Sequence, residues 1–333
     1  MRKLFIGMGL GVAAAASLWG GYWTYAASTI EDKIELALGL DHSDPHTKVE
    51  NVSVSGFPSK FDIQLTGIST TTAQGITWAT PLARLVMASY DPSRIDIDLS
   101  QPHAIGGSWG EFALTTEGAR IIALLNPDAQ FALADLRFAL ESPALLKEGK
   151  AFSRAEKIIA VSTLNGAEGP NVFQVETEFT GVDLANLIEG LPDRYSRLGP
   201  VQGLVDVYFS KPWDLSVATG SAPSYTGAVL RRARATFGES TLTLSGKLAL
   251  NADGKVTGQV TAVIDDWRPL LDVPLEMGRI DAETRDIIAE MLTDVEALNG
   301  TIGQLTLPLT IQEGRVTYGM LTLGVIPPLK SNE

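Results

Sequence analysis

Leu242-Thr-Leu-Ser-Gly-Lys-Leu-Ala-Leu-Asn-Ala-Asp-Gly-Lys-Val-Thr-Gly258 decides the fold. Apolar side chains stand at every second position through Leu242, Leu244, Leu248 and Leu250, so each strand has one apolar and one polar face, the mark of antiparallel sheet. Asn251-Ala-Asp-Gly254 then supplies turn residues before Val256, and the stretch reads as a hairpin. The same period recurs outward in both directions. It is present at Val52-x-Val54, Phe61-Asp-Ile63-Gln-Leu65, Ile95-Asp-Ile97-Asp-Leu99, Phe112-Ala-Leu114 and Leu136-Arg-Phe138-Ala-Leu140. It returns at Val175 to Phe179, Leu305-Thr-Leu307 and Val316-Thr-Tyr318, with Glu313-Gly314 as a further hairpin turn. One long helix is expected from Ala282 to Leu298, with Asp281 as N-cap, Gly300 as its stop, and Ile287, Ile288, Met291, Leu292, Val295 and Leu298 as its apolar stripe. A shorter helix is expected over Val182 to Ile188. Another is expected to open at the capping box Ser28-Thr-Ile-Glu31 and to end near Gly39. So few helices cannot cover so many half-apolar strands. The expected fold is therefore mainly β, a long, curved antiparallel sheet arranged as a groove, a sandwich or a half-barrel.

The 333 residues bound the chain to one or two domains. Before the β pattern begins, Leu4 to Tyr25 carries no charge, preceded by Arg2 and Lys3 and followed by Glu31 and Asp32. Twenty-two such residues make a helix of about 33 Å, long enough for a hydrocarbon core of about 30 Å. The flanking charges put the N-terminus in the cytoplasm and the rest across the membrane. Trp19, Tyr22, Trp23 and Tyr25 then fall where rings prefer the headgroup layer. A cleaved signal peptide is the alternative, with Thr24-Tyr25-Ala26 or Ala14-Ala15-Ala16 at the cleavage point, leaving a soluble periplasmic protein. The division is residues 1–27 as anchor or signal and residues 28–333 as a periplasmic body, its lobes 28–195 and 196–333 joined near Leu191 to Pro200.

Chemistry is sparse. Lys plus Arg number 26 against 39 acidic residues, a formal charge of −13, which disfavours nucleic acid as a partner. There is no cysteine, so disulfides, thiolate metal sites and Cys nucleophiles are excluded. With three histidines and no Gly-x-Ser-x-Gly elbow, no catalytic residue is assigned and an enzyme is not expected. Gly7-x-Gly9-x-Gly11 has the wrong spacing for a dinucleotide site, and no cofactor is expected. Asp41-His-Ser-Asp-Pro-His46 gathers metal-ligand types, yet Pro45 prevents a helical His face and the stretch reads as a solvated loop, so no metal residues are assigned. His103, after Pro102, reads as a loop residue, and Asp265-Asp266 as a turn or cap. Arg231-Arg232-x-Arg234 is the one dense basic patch. Arg232 and Arg234 share a strand face, and the patch of Arg231, Arg232 and Arg234 either meets anionic lipid headgroups or guards a solvated sheet edge.

Val54-Ser-Gly-Phe-Pro-Ser-Lys-Phe-Asp62, Trp78-x-x-Pro81, Ala88-Ser-Tyr-Asp-Pro92, the opening hairpin through Gly258, Trp267-Arg-Pro-Leu-Leu271, Glu313-Gly-Arg-Val316 and Leu323-Gly-Val-Ile-Pro-Pro328 together resemble a family of Gram-negative envelope proteins, domain of unknown function 2125. Its shared structural motif falls here on Gly56, Phe57, Pro58 and Phe61. More distantly, a membrane helix followed by this Gly-Phe-Pro hairpin and long alternating strands is similar to AsmA-like envelope proteins, which implies a β groove facing the periplasm that contacts lipid or outer-membrane components. The expected function is then an inner-membrane-anchored periplasmic protein that binds or guides an apolar or lipid-like ligand in a β-sheet groove. The alternative is a non-enzymatic envelope scaffold or assembly factor that holds partner proteins.

Overall fold

The computed structural model describes residues 17, 19–31, 47–72, 75–218, 223–251 and 254–328. Its first strands are β1 Thr47–Lys48, β2 Asn51–Ser55, β3 Lys60–Thr71, β4 Thr77–Ala88, β5 Asp91–Asp98, β6 His103–Gly107, β7 Gly110–Thr115 and β8 Gly118–Asn126. There follow β9 Ala132–Glu141, β10 Ala144–Lys147, β11 Lys150–Arg154, β12 Lys157–Leu164, β13 Val172–Thr180, β14 Val182–Asp183, β15 Arg197–Leu198 and β16 Val201–Phe209. The last are β17 Tyr225–Phe237, β18 Ser240–Leu250, β19 Val256–Asp265, β20 Gln304–Gln312, β21 Arg315–Tyr318 and β22 Leu321–Val325. The helices are α1 over residues 19–31, α2 Asp272–Glu276 and α3 Ala282–Asn299.

Every pairing is antiparallel, and the order is a meander in which almost every strand lies beside its neighbour in sequence. Between β4 and β13 each long run is split into two strands: β5 and β6, β7 and β8, β9 and β10, β11 and β12. The splits fall at one level. Across them the ladder continues, with Leu99 N bonded to Ala119 O at 2.9 Å, Glu117 N to Glu141 O at 2.9 Å and Ser142 N to Glu156 O at 2.9 Å. A crease therefore runs across the sheet, where Pro102, Pro143 and Pro200 withhold amide donors and Ser142 and Gly181 adopt positive φ. Pro81 sits on β4 at the same level, between its pairing with β6 at Ala79 and its pairing with β5 at Arg84.

The Gly56-Phe57-Pro58 turn joins β2 to β3, with Gly56 at φ 104 and a cis peptide before Pro58. Phe57 is 56% exposed at this turn and meets α1. Trp19 Nε1 donates to Pro58 O at 3.0 Å and Trp23 Nε1 to Lys60 O at 3.1 Å. The Trp23 ring stacks on Phe61 and meets Phe57 edge-on, both at 5.6 Å between centroids. Ala27 completes a core with Val52, Phe61 and Ile63.

Two of the expected helices change, and the expected span is described only in part. Most of the expected span, residues 4–16 and 18, lies outside the described residues. Among the described residues no helix is long and apolar enough to cross a membrane. Ser28 does not open a helix: α1 is already under way, and the Ser28 hydroxyl donates back to Tyr25 O at 3.0 Å. Val182 to Ile188 is not helical either. Val182 and Asp183 pair with Leu198 and Arg197 as a two-stranded ladder, and Asp183 Oδ1 then accepts from Ala185 N to turn the chain. The β ladder crosses the 195/196 division through the pairing of β13 with β16.

Helix α3 has the expected ends: Asp281 accepts from Thr284 N at 2.8 Å, and Gly300 adopts φ 72. Its stripe is divided, however. Ile288, Leu292 and Val295 are half-buried, whereas Ile287, Met291 and Leu298 are exposed. What holds α3 down is polar. Glu296, buried, accepts from Trp267 Nε1 at 2.9 Å and from Gly303 N at 2.7 Å, and Arg268 lies 2.9 Å away.

Candidate functional site: the apolar face of the sheet

The register gives the sheet two chemically distinct faces. Ile63, Leu85, Ile97, Ile121, Phe138, Ala160, Thr177, Gly203, Ala233, Leu244, Ala262 and Leu307 are successive cross-strand partners on twelve strands from β3 to β20. Eleven of the twelve are apolar or glycine. A parallel row two residues along reads Ile95, Ala123, Leu136, Ser162, Val175, Val205, Leu230, Gly246, Val260 and Leu309. At about 4.8 Å per strand, the first row runs about 50 Å across the sheet. The intervening positions include Gln64, Arg84, Asp98, Arg120, Glu178, Gln202, Arg234 and Thr243, the polar face.

Helix α1 covers the apolar face at β2 to β4, with Trp23, Ala26 and Ile30 packed on it. Beneath it Phe61 is 3% exposed and Ile63 1%. Toward the middle of the sheet Ile121, Phe138, Ala160, Val175, Val205, Leu230 and Leu244 are only half-buried. A strap after β16 reaches back to the start of β9, with Trp213 O accepting from Leu133 N at 2.7 Å and Gln130 O from Leu215 N at 3.4 Å. Trp213, Phe209 and Phe173 pack edge to face along it.

The arginine cluster lies apart from this face. A bulge at Arg231 and Arg232 lets Arg231 reach the polar side, where its Nε is 2.6 Å from Asp206 and a terminal nitrogen is 2.8 Å from Glu168. Asp206 is fully buried, and Gln174 Nε2 also donates to it, at 3.4 Å. Strand β17 has β16 and β18 on either side, so the solvated-edge reading does not hold: the arginines stand mid-sheet. Arg232 shares a depression of about 270 Å³ with Glu176, Glu178 and Gln202, so acids accompany both Arg231 and Arg232. The register puts Arg232 and Arg234 opposite in sense to the apolar rows.

The remaining candidates resolve individually. Asp41 to His46 lies outside the described residues. His103 is not in a loop but in β6, buried, stacked on Trp78 at 5.7 Å with Nε2 2.9 Å from Leu99 O. Asp265 ends β19 and accepts from Gln304 Nε2, and Asp266 turns the chain at φ 50. Sequence reading missed the ion pairs that stitch the polar face: Asp62 with Arg84 and Lys60, Asp96 with Arg94 and Arg120. The Arg84 bond, helped by Lys60 and opposed by burial, holds the Asp62 carboxyl far below the usual range. Opposite-sign spacing of two along one strand, as in Lys60 and Asp62, was the available signal.

No curated protein and no solved structure matches the chain. A family model described as an uncharacterized protein conserved in bacteria matches residues 23–327. That match takes in α1 from Trp23 onward, the Gly-Phe-Pro turn and the sheet through β22, and nothing in the comparisons carries the AsmA-like likeness further. The chain belongs to the family of domain of unknown function 2125.

Proposed function

We propose that this protein is held in the inner membrane through residues 4–25 and that its sheet, on the periplasmic side, binds or guides a lipid-like ligand along its apolar face. The observation that carries the reading is the twelve-strand apolar row, half-buried at its centre. Contiguous apolar patches of more than a few hundred Å² are rare on monomers and mark interaction sites. The docked helix fits the same picture. Tyr22 and Tyr25 on α1, Phe57 at the tip of the β2–β3 turn and Tyr90 at the tip of the β4–β5 turn are all exposed, and Ser89 Oγ bonds Pro58 O at 2.9 Å, which ties the two tips together. Rings so grouped suit the headgroup layer and set the strands end-on to the membrane. Lipid extraction and mass spectrometry of the purified full chain test the proposal. A Phe138→Lys, Val205→Lys variant should lose most bound lipid while keeping its circular dichroism spectrum. If the wild-type chain carries no lipid and takes up no labelled phospholipid, the proposal is wrong.

A scaffold that holds partner proteins is the second reading, favoured by β22. Among the described residues this strand pairs only with β21, and it carries no charge and exposes Leu321, Leu323 and Val325 at 60, 52 and 72%. An unguarded edge of that kind accepts another strand. Crosslinking in membranes from Thr322 separates the two, since a stable protein adduct there supports the scaffold.

A further inference from the structure

We propose a distinct ligand site at the end of the sheet opposite Phe57, a pocket that takes the tail of an anionic single-chain amphiphile and uses Lys147 for its head. Strands β6 and β7 turn at Gly107 to Gly110, and β10, paired with β7, turns into β11 after Lys147. Between these two turns Ile105, Trp109, Phe112, Leu145, Lys147 and Phe152 enclose about 410 Å³. Ring centroids are 5.3 Å apart for Trp109 and Phe112 and 5.0 Å for Phe112 and Phe152. Gly107 makes the arrangement possible. A Cβ there would sit 2.8 Å from Trp109 Nε1, so only glycine lets the indole fold back over the pocket. Yet Trp109 remains 49% exposed, an apolar wall whose outer side is left open among the described residues.

The occupant's charge follows from Lys147. It is the sole charged lining residue, its Nζ lies 5.6 Å from the Phe112 centroid, and it forms no ion pair among the described residues. Three aromatic rings around a cavity otherwise suit a quaternary ammonium, but a resident cation repels one. On a chain of net charge −13, a lone lysine at an apolar mouth selects a carboxylate or phosphate joined to a hydrocarbon. The volume lies near the small end of the range for ligand pockets, enough for one chain rather than two. From Asp91 to Gly107 the β5–β6 run extends about 50 Å, so a ligand here is out of reach of a bilayer at the Phe57 end and must arrive as a monomer. The pocket does not rest on the sheet-face proposal, since it shares no residue with the two apolar rows.

The test uses the full chain in lipid nanodiscs, titrated with 11-bromoundecanoic acid and, separately, 11-bromoundecanol, while tryptophan emission is read. The acid is expected to give a saturable quenching component that Trp109→Phe removes. Lys147→Glu should weaken the acid about tenfold and leave the alcohol unchanged. Leu145→Asp should abolish saturable quenching by both probes with the circular dichroism spectrum intact. Undecyl phosphate in competition tells a phosphate head from a carboxylate, and displacement by either is support. Equal affinity for acid and alcohol, no response to Lys147→Glu, or quenching that never saturates because the probe stays in the disc would each overturn the proposal. Where one of these results overturns this proposal, lipid still bound to the wild-type chain by mass spectrometry leaves the sheet-face reading standing, so the two can fail separately.

Discussion

Replacing Trp23 tests whether α1 belongs to the sheet or only passes near it. The indole makes three contacts with the β2–β3 hairpin: a stack on Phe61, an edge contact with Phe57, and an N–H bond to Lys60 O at 3.1 Å. A fully buried tryptophan cut to alanine costs about 3–5 kcal/mol, and Trp23 is half-buried, so Trp23→Ala should cost about 3 kcal/mol. Trp23→Phe keeps a ring against Phe61 and loses chiefly the N–H bond, a net of about 1 kcal/mol. Trp19 makes a similar bond to Pro58 O from an exposed position, so Trp19→Phe should stay within about 1 kcal/mol of wild type. The assay is urea unfolding of the full chain in detergent by circular dichroism. Midpoints should fall in the order Trp19→Phe, Trp23→Phe, Trp23→Ala with an unchanged slope. Equal losses in the two Trp23 variants, or a Trp23→Ala loss below about 1 kcal/mol, would refute the docking.

Acid sensitivity follows from carboxylates held below their ordinary range: Asp62 by Arg84, Asp96 by Arg94, Asp98 by the Ser100 hydroxyl, and Glu296 by the Gly303 amide. The unfolded chain takes up protons near pH 4 before the folded one does, so their stabilisation is present above about pH 5 and lost as pH falls through 4. The thermal midpoint should be flat from pH 8 to 5 and drop below, with a shallower drop in Asp62→Asn. A midpoint unchanged at pH 3 contradicts this. Gly246→Ala puts a Cβ 2.1 Å from Gln259 O and should cost about 1–3 kcal/mol in urea unfolding, whereas Gly166→Ala, with open space around it, should be neutral. Glu296→Gln should speed hydrogen exchange of the α3 amides and leave those of β3 and β4 unchanged, because Glu296 joins α3 to Trp267 and Gly303.

Strands were legible where one face meets water and the other does not, as in β3, β5 and β18. They were hidden where the polar side also carries apolar residues: Ile122 on β8 and Ile159 and Val161 on β12 erase the period of two. Leu184, Leu187 and Ile188 have helical spacing, but Leu187 and Ile188 end up exposed, and the chain turns at Asp183. The caps of α3 were legible because capping is local chemistry, and its buried side was not, because the choice between Ile288 and Ile287 is made by what lies opposite. Trp19 and Trp23 read as membrane-interface rings. Their hydrogen-bond partners at the Gly-Phe-Pro turn are 39 and 37 positions away, and no local pattern links them. The crease has the same origin: Pro81, Pro102 and Pro143 are separate turn signals until the register sets them side by side.

The apolar face contains its own control for the ligand proposal. Ile63 and Phe138 belong to one cross-strand row on one face, so strand geometry and residue class are matched. Where α1 lies over the row, Ile63 is 1% exposed, and where no described helix does, Phe138 and its neighbours stay half-buried. Coverage, not sequence, makes the difference. The six strands β8, β9, β12, β13, β16 and β17, at about 4.8 Å spacing and over the two rows, present about 300–400 Å² of this face, the size of a functional patch on a monomer. A ligand lying there should do for Phe138 what α1 does for Ile63. Hydrogen exchange at the amides of β9, β12 and β13 should slow when lipid is added to delipidated protein, and exchange in β3 should not change. Protection that rises equally in both regions would mean that lipid stabilises the chain as a whole, without occupying the face.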